Sequence, residues 1–214
     1  MHTIVFSAQK GGCGKTTLAL HLAVEYARSG LTVAVLDTDP QKSAALWGEL
    51  REARDLTVLP IAADEIGAAL RDAEADGYDL AIVDTPPHAS AKLLLALRRA
   101  DLAIIPFRPS PLDLATLEAV AGMVNHAGIP AVAILSAAPL RAAEIEPMRH
   151  ALEAGGLRVL ETIIHDLMPF RRSIGNGQSV TEFDPKGRAA MEIRSLRREL
   201  NNFITPIRKE VTTP

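Results

Sequence analysis

The stretch AQKGGCGKTT, residues 8–17, packs two lysines, three glycines and two threonines into ten positions. Glycines lack a Cβ, so backbone N–H groups can converge on oxygen atoms, and a lysine at the start of a helix can reach β- and γ-phosphates. Gly11, Gly12, Cys13 and Gly14 can shape such a loop, with Lys15 as its phosphate lysine. The Thr16 hydroxyl suits Mg²⁺, and Thr17 suits a more peripheral phosphate oxygen. The usual spacing G-x-x-x-x-G-K-[ST] calls for a glycine where Gln9 stands, and Lys10 adds a second cation. Three readings are open: a nucleotide loop damaged at one glycine, a glycine-rich turn capping a helix, or a different kind of phosphate loop.

A Mg²⁺–nucleotide site also needs carboxylates. DLAIVDTPP ends an apolar run on Asp84, where a carboxylate can meet the metal through water. VAVLDTDPQ ends another on Asp37 and Asp39. Acids before Pro40 suit a turn; beside a phosphate loop they become candidates for Mg²⁺ contact and for orienting an attacking water.

These residues need a scaffold, and the chain alternates short Val/Ile-rich runs with amphipathic segments. Strands are expected at 3–7, 32–37, 56–60, 79–84, 102–106 and 130–135, with a weaker one near 157–164. Helices are expected at 16–29, 43–54, 64–76, 89–99, 112–127 and 143–154, then at 169–175 and 186–204. Gly30 and Gly128 stand where C-terminal caps belong. The alternation predicts an α/β fold with a mostly parallel central sheet flanked by helices on both faces.

The 214 residues can bury a sizeable core, built from aliphatic side chains because aromatics make up only 4%. A lone cysteine rules out an intramolecular disulfide and a cysteine-ligated cluster within one chain. No run of 18 apolar residues marks a membrane span and no leader is read, so a cytoplasmic protein is expected. Between Arg171 and Glu210 nine Lys/Arg stand against five Asp/Glu, a net of +4 in a chain of net −3. A basic end on an acidic body suits a polyanion, or simply a solvated helix face.

Taken together, KGGCGKTT, DTDPQ and DTPP resemble the deviant Walker A ATPases of the ParA/MinD family. IIPFRPSPLDL and SIGNGQSVTEFDPKGRAAMEI extend the resemblance over nearly the whole chain, toward the compact ParA proteins that partition plasmids. The resemblance implies a single-domain P-loop NTPase over 1–214, with a basic helical part at about 169–205, that binds ATP and Mg²⁺ and hydrolyses ATP. It implies a homodimer in which Lys10 crosses to the partner's phosphates. There Lys10 ties dimerisation to the γ-phosphate and, with Lys15, stabilises charge in phosphoryl transfer; Asp39 helps activate water, and Thr16, Asp37 and Asp84 serve the metal. The base is held by backbone near Ala137, Ala138 and Pro169, or is read weakly. RPSPLD (108–113) lies near the dimer interface, or is only a turn that opens a helix.

The resemblance further implies non-specific duplex DNA binding, for which Arg171, Arg172, Lys186, Arg188, Arg194, Arg197 and Arg198 are available, and hence nucleoid association. A ParB-like centromere-binding adaptor would stimulate hydrolysis. A membrane-docking role needs a C-terminal amphipathic basic helix that NNFITPIRKEVTTP does not offer. The alternatives are positioning of a protein cargo, such as a chemoreceptor cluster or compartment, or a nucleotide-responsive scaffold with negligible turnover.

Overall fold

The computed structural model describes residues 1–87, 98 and 100–204. Seven strands are present: β1 (His2–Phe6), β2 (Val33–Asp37), β3 (Leu56–Pro60), β4 (Leu80–Asp84), β5 (Leu102–Phe107), β6 (Ala131–Ala138) and β7 (Arg158–His165). They form one sheet in the order β3-β2-β4-β1-β5-β6-β7, with every pairing parallel. All strand C-termini therefore open on one edge, and the order changes direction at β1, where an α/β sheet leaves a crevice for a ligand.

Side chains alternate across the pleat, so each strand feeds two cores. Ile4, Phe6, Val35, Ile82 and Ile104 pack under α1 (Lys15–Ala27), α2 (Ser43–Leu50) and the late helix α9 (Arg188–Leu200). Val5, Leu36, Val83, Ile105 and Leu135 face the other side, toward α3 (Ile66–Ala75), α5 (Leu117–Ala127) and α6 (Ile145–Ala154). Helix α1 is buried almost continuously from Leu18 to Tyr26, so the helix behind the phosphate loop is anchored in the core.

Three expected helices differ from those observed. The 112–127 helix is interrupted: α4 (Pro111–Leu114) ends in a turn where the Thr116 hydroxyl donates to the Asp113 carbonyl at 2.7 Å, and α5 then restarts. The second helix stops at Leu50 rather than 54, and Arg51 turns to extended geometry. The last segment is three helices: α7 (Met168–Gly175), α8 (Val180–Phe183) with a Ser179/Glu182 capping box, and α9. The helix expected at 89–99 lies outside the described residues except for position 98.

Strand β7 closes one side of the sheet, and α9 covers its open edge. Glu199 accepts from the Glu161 and Thr162 N–H groups at 2.7 and 3.0 Å, and Glu192 from that of His165 at 3.0 Å. Edge donors that could template another strand are thereby satisfied within the chain.

Candidate functional site

The phosphate loop joins the end of β1 to α1, with Gly12 and Gly14 both at positive φ (73° and 96°). A Cβ on Gly14 would come within 2.8 Å of the Ser136 hydroxyl, so this glycine is required by close packing as well as by conformation. Lys15 is buried, and its ammonium donates to the Lys10 carbonyl at 3.3 Å.

Strand register brings the carboxylates to the loop. Phe6 pairs with Asp84, and Asp84 pairs with Asp37, so the ends of β1, β4 and β2 are level. The Thr16 hydroxyl donates to Asp84 Oδ2 at 2.6 Å. Asp84 Oδ1 is buried without a hydrogen-bond partner among the described residues. Burial pushes the Asp84 carboxyl up to about 7; Asp37 and Asp39 act in the same direction, while the Thr16 hydroxyl and Lys15 oppose them. A buried, orphaned carboxylate oxygen beside a threonine hydroxyl fits a Mg²⁺ ion with its bound water.

Asp37, expected to serve the metal, has both carboxylate oxygens on backbone donors. Its Oδ1 accepts the Asp39 N–H at 3.0 Å, and its Oδ2 accepts those of Ala44 and Ala45 at 2.9 and 3.0 Å. Three backbone donors thus occupy its two oxygens, and the residue braces the loop that carries Asp39 and caps α2. Asp39 is half-buried and accepts the Gln41 N–H at 2.9 Å.

Beside the loop lies a cavity of about 650 Å³, walled by Gly12, Gly14 and Thr17 on one side and by Ser136, Phe170 and Arg171 on the other. Ala137 also lines it and holds a left-handed backbone (φ 49°), unusual for a residue with a Cβ. Pro169, expected beside the base, lies in the first turn of α7 but does not line the cavity; its neighbours Phe170 and Arg171 do. Cys13, grouped with the nucleotide residues, has its side chain packed under the loop against β5 and α5, and its thiol lies 3.3 Å from the Lys10 carbonyl. Burial pushes that thiol's pKa up, which suits an inert packing role. Ser136, Phe170, Asp166 and Arg108 were missed as cavity residues; the position of Ser136 near the end of a strand was the one signal that pointed there.

Lys10 sits on its own chain. Its ammonium donates to the Leu112 carbonyl and lies 3.6 Å from Asp113 Oδ1. The segment 108–113 does open a helix, with Ser110 as N-cap accepting from the Asp113 N–H at 3.2 Å.

The basic residues divide. Arg171 Nη2 donates to both carboxylate oxygens of Asp166 at 2.8 Å on the cavity wall. Arg188 pairs with Glu192 at 2.9 Å, Arg194 donates to the Pro185 carbonyl at 2.6 Å, and Arg197, half-buried, meets Glu25 of α1 at 3.4 Å. Arg197, expected among the residues available to DNA, thus also ties α9 to the core helix. Arg172, Lys186 and Arg198 are exposed.

The profile of the CobQ/CobB/MinD/ParA nucleotide-binding domain matches residues 4–205. The chain belongs to this family. Among ParA/MinD relatives it is 34% identical over 191 residues to the "Maintenance of carboxysome distribution protein A" of Gloeobacter kilaueensis, covering 86% of this chain and 84% of that one. It is 36% identical over 115 residues to Protein ParA of Rhizobium radiobacter, covering 53% of this chain and 51% of that one. Its fold superposes on apo McdA of Cyanothece with a TM-score of 0.77 at 18% identity, covering 94% and 99% of the two chains. The Mg-ADP complex of MinD from Pyrococcus horikoshii gives 0.75 at 18% identity, covering 94% and 96%. Among the described residues no helix is long and apolar enough to cross a membrane.

Proposed function

We propose that this ParA/MinD-family chain is a Mg²⁺-dependent ATPase whose ATP-bound homodimer distributes cargo over DNA. The observation that carries this reading is the meeting of the Thr16 hydroxyl, next to Lys15, with Asp84 at level strand ends, beside a nucleotide-sized cavity. Lys15 and the loop N–H groups hold the β- and γ-phosphates, and Thr16 with Asp84 holds the metal. Mg²⁺ there neutralises charge on the triphosphate. Asp39 orients the attacking water. Lys10 leaves Leu112 and Asp113 to reach the partner's phosphates, so dimerisation depends on the triphosphate.

In one version the cargo is DNA, and a ParB-like adaptor stimulates hydrolysis; the ParA relative and the "Chromosome-partitioning ATPase Soj" of Thermus thermophilus, 34% identical over 150 residues, support it. In the other the cargo is a protein assembly. That version is supported by the coverage of two carboxysome-distribution relatives, 86% and 96% of the chain, against 53% and 56% for ParA and Soj.

Sedimentation velocity with and without a non-hydrolysable ATP analogue, repeated with duplex DNA, tests the switch. The expected result is a dimer only with the analogue, and DNA co-sedimenting only with the dimer. Lys15→Ala should bind no nucleotide, whereas Lys10→Ala should bind it and stay monomeric. A Lys10→Ala dimer as stable as the wild type overturns the cross-subunit contact. Absence of phosphate release with DNA and adaptor present overturns the enzyme reading in favour of a scaffold.

A further inference from the structure

We infer that Arg108 is an additional phosphate-binding residue of the nucleotide site, a third cation beside Lys15 and Lys10. This rests on the nucleotide-binding reading above and adds a residue to it. The topology brings Arg108 to the loop: it follows the last residue of β5, which pairs with β1, the strand that runs into the phosphate loop. Its guanidinium donates to the carbonyl of Gly12. Both residues line the cavity, with Gly14 and Thr17. Gly12 permits this approach, since a Cβ there would sit 2.6 Å from Arg108 Nη2.

The backbone of Arg108 is fixed while its charge is not neutralised. Its N–H donates to Asp113 Oδ2 at 3.0 Å, and Ser110 caps the next turn. Asp113 spends its carboxylate on that N–H and on Lys10, and among the described residues no carboxylate pairs with the Arg108 guanidinium. An exposed guanidinium carries five N–H donors, and one carbonyl engages only part of the fork. A cation held over a phosphate loop without a counter-ion is poised for an anionic ligand, and the phosphate oxygens of a nucleotide in the adjoining cavity are the anions within its reach. Lys10 is engaged with Asp113 in the single chain, so Arg108 supplies positive charge at the loop's outer side before any partner arrives.

The test is equilibrium binding of ATP and ADP, each with Mg²⁺, to the wild type and to Arg108→Lys, Arg108→Gln and Arg108→Ala, at low and moderate salt. The Gln variant keeps a donor for the Gly12 carbonyl without the charge. Loss of one charge-assisted contact predicts about tenfold weaker binding for Gln and Ala, with Lys intermediate and the difference shrinking as salt rises. Gln binding as tightly as the wild type overturns the proposal. So does an equal loss in all three variants that is indifferent to salt, which would mark a merely structural contact. Lys15→Ala, run alongside, separates the two readings. If the wild type itself binds no nucleotide, the nucleotide reading fails; if it binds and Lys15→Ala does not, a null result at Arg108 sinks this inference alone.

Discussion

Asp84 carries the largest electrostatic tension among the site residues. Its carboxyl ordinarily titrates near 3.8 and is raised to about 7 by burial. The folded chain therefore holds this proton more tightly than the unfolded one. That adds stability in full below about pH 4, and the advantage is lost as pH rises through about 7. Asp84→Asn removes the titration, so the nucleotide-free variant should lose less thermal stability than the wild type between pH 5 and pH 8. Near pH 8 it should melt higher, by about 2–4 °C for each ~1 kcal/mol of burial cost relieved. Parallel melting curves from the two proteins across that range would refute the assignment. The same variant should lose Mg²⁺-dependent nucleotide binding, because the metal requires the ionised carboxylate. Lys10 is the contrasting case: its type and spacing marked it as a second cation, but only the fold revealed the Leu112 carbonyl and Asp113 as its resting partners.

At the scale of elements, Arg51 joins the end of α2 to the segment that leads into α8. Arg51, just past α2, donates to Asp55 and to Glu182 at 2.8 Å each and to the Gly177 carbonyl at 3.1 Å. Gly177 is at φ +65°, and a Cβ there would stand 2.4 Å from the Leu50 carbonyl oxygen. Backbone cannot yield as a side-chain tip can, so Gly177→Ala should cost roughly 2–4 kcal/mol, read as a shift in urea midpoint at constant slope. Gly30→Ala is also at positive φ but meets nothing within 4 Å, so it should cost less. The strands were legible because parallel strands buried on both faces read as short Val/Ile runs. The break after Leu114 and the short helix α8 were not: the Thr116 hydroxyl turns the chain within a sequence that fits helix throughout, and the Ser179/Glu182 capping box makes a four-residue helix where a loop was expected between 175 and 186.

At the scale of the whole molecule, the basic end divides by partner. Arg197 meets Glu25 and the exposed Arg188 meets Glu192, whereas among the described residues no carboxylate pairs with the exposed Arg172, Lys186 or Arg198. Replacing Lys186 or Arg198 by Ala should weaken DNA binding of the ATP form equally across sequences and lower the salt slope by about one unit per lost phosphate contact. ATP affinity should be unchanged. Arg197→Ala should instead lower thermal stability, and an Arg197→Ala protein that melts like the wild type while losing DNA would reverse this division.

Periodicity and local spacing encode the layered α/β order, the glycine-rich loop before Lys15 and the apolar run that ends on Asp84, so these were legible without the fold. Which side chains share the cavity was decided by tertiary structure alone. Arg108, Ser136, Phe170 and Asp166 stand 94 to 156 positions beyond Gly14 in Gly14–Phe170 order, and no local pattern links them. The sheet order that sets β1 against β5, and the crossing that returns α7 to the loop, brought them together. The same folding decided which cations stay free, since a charge's partner depends on what packs beside it.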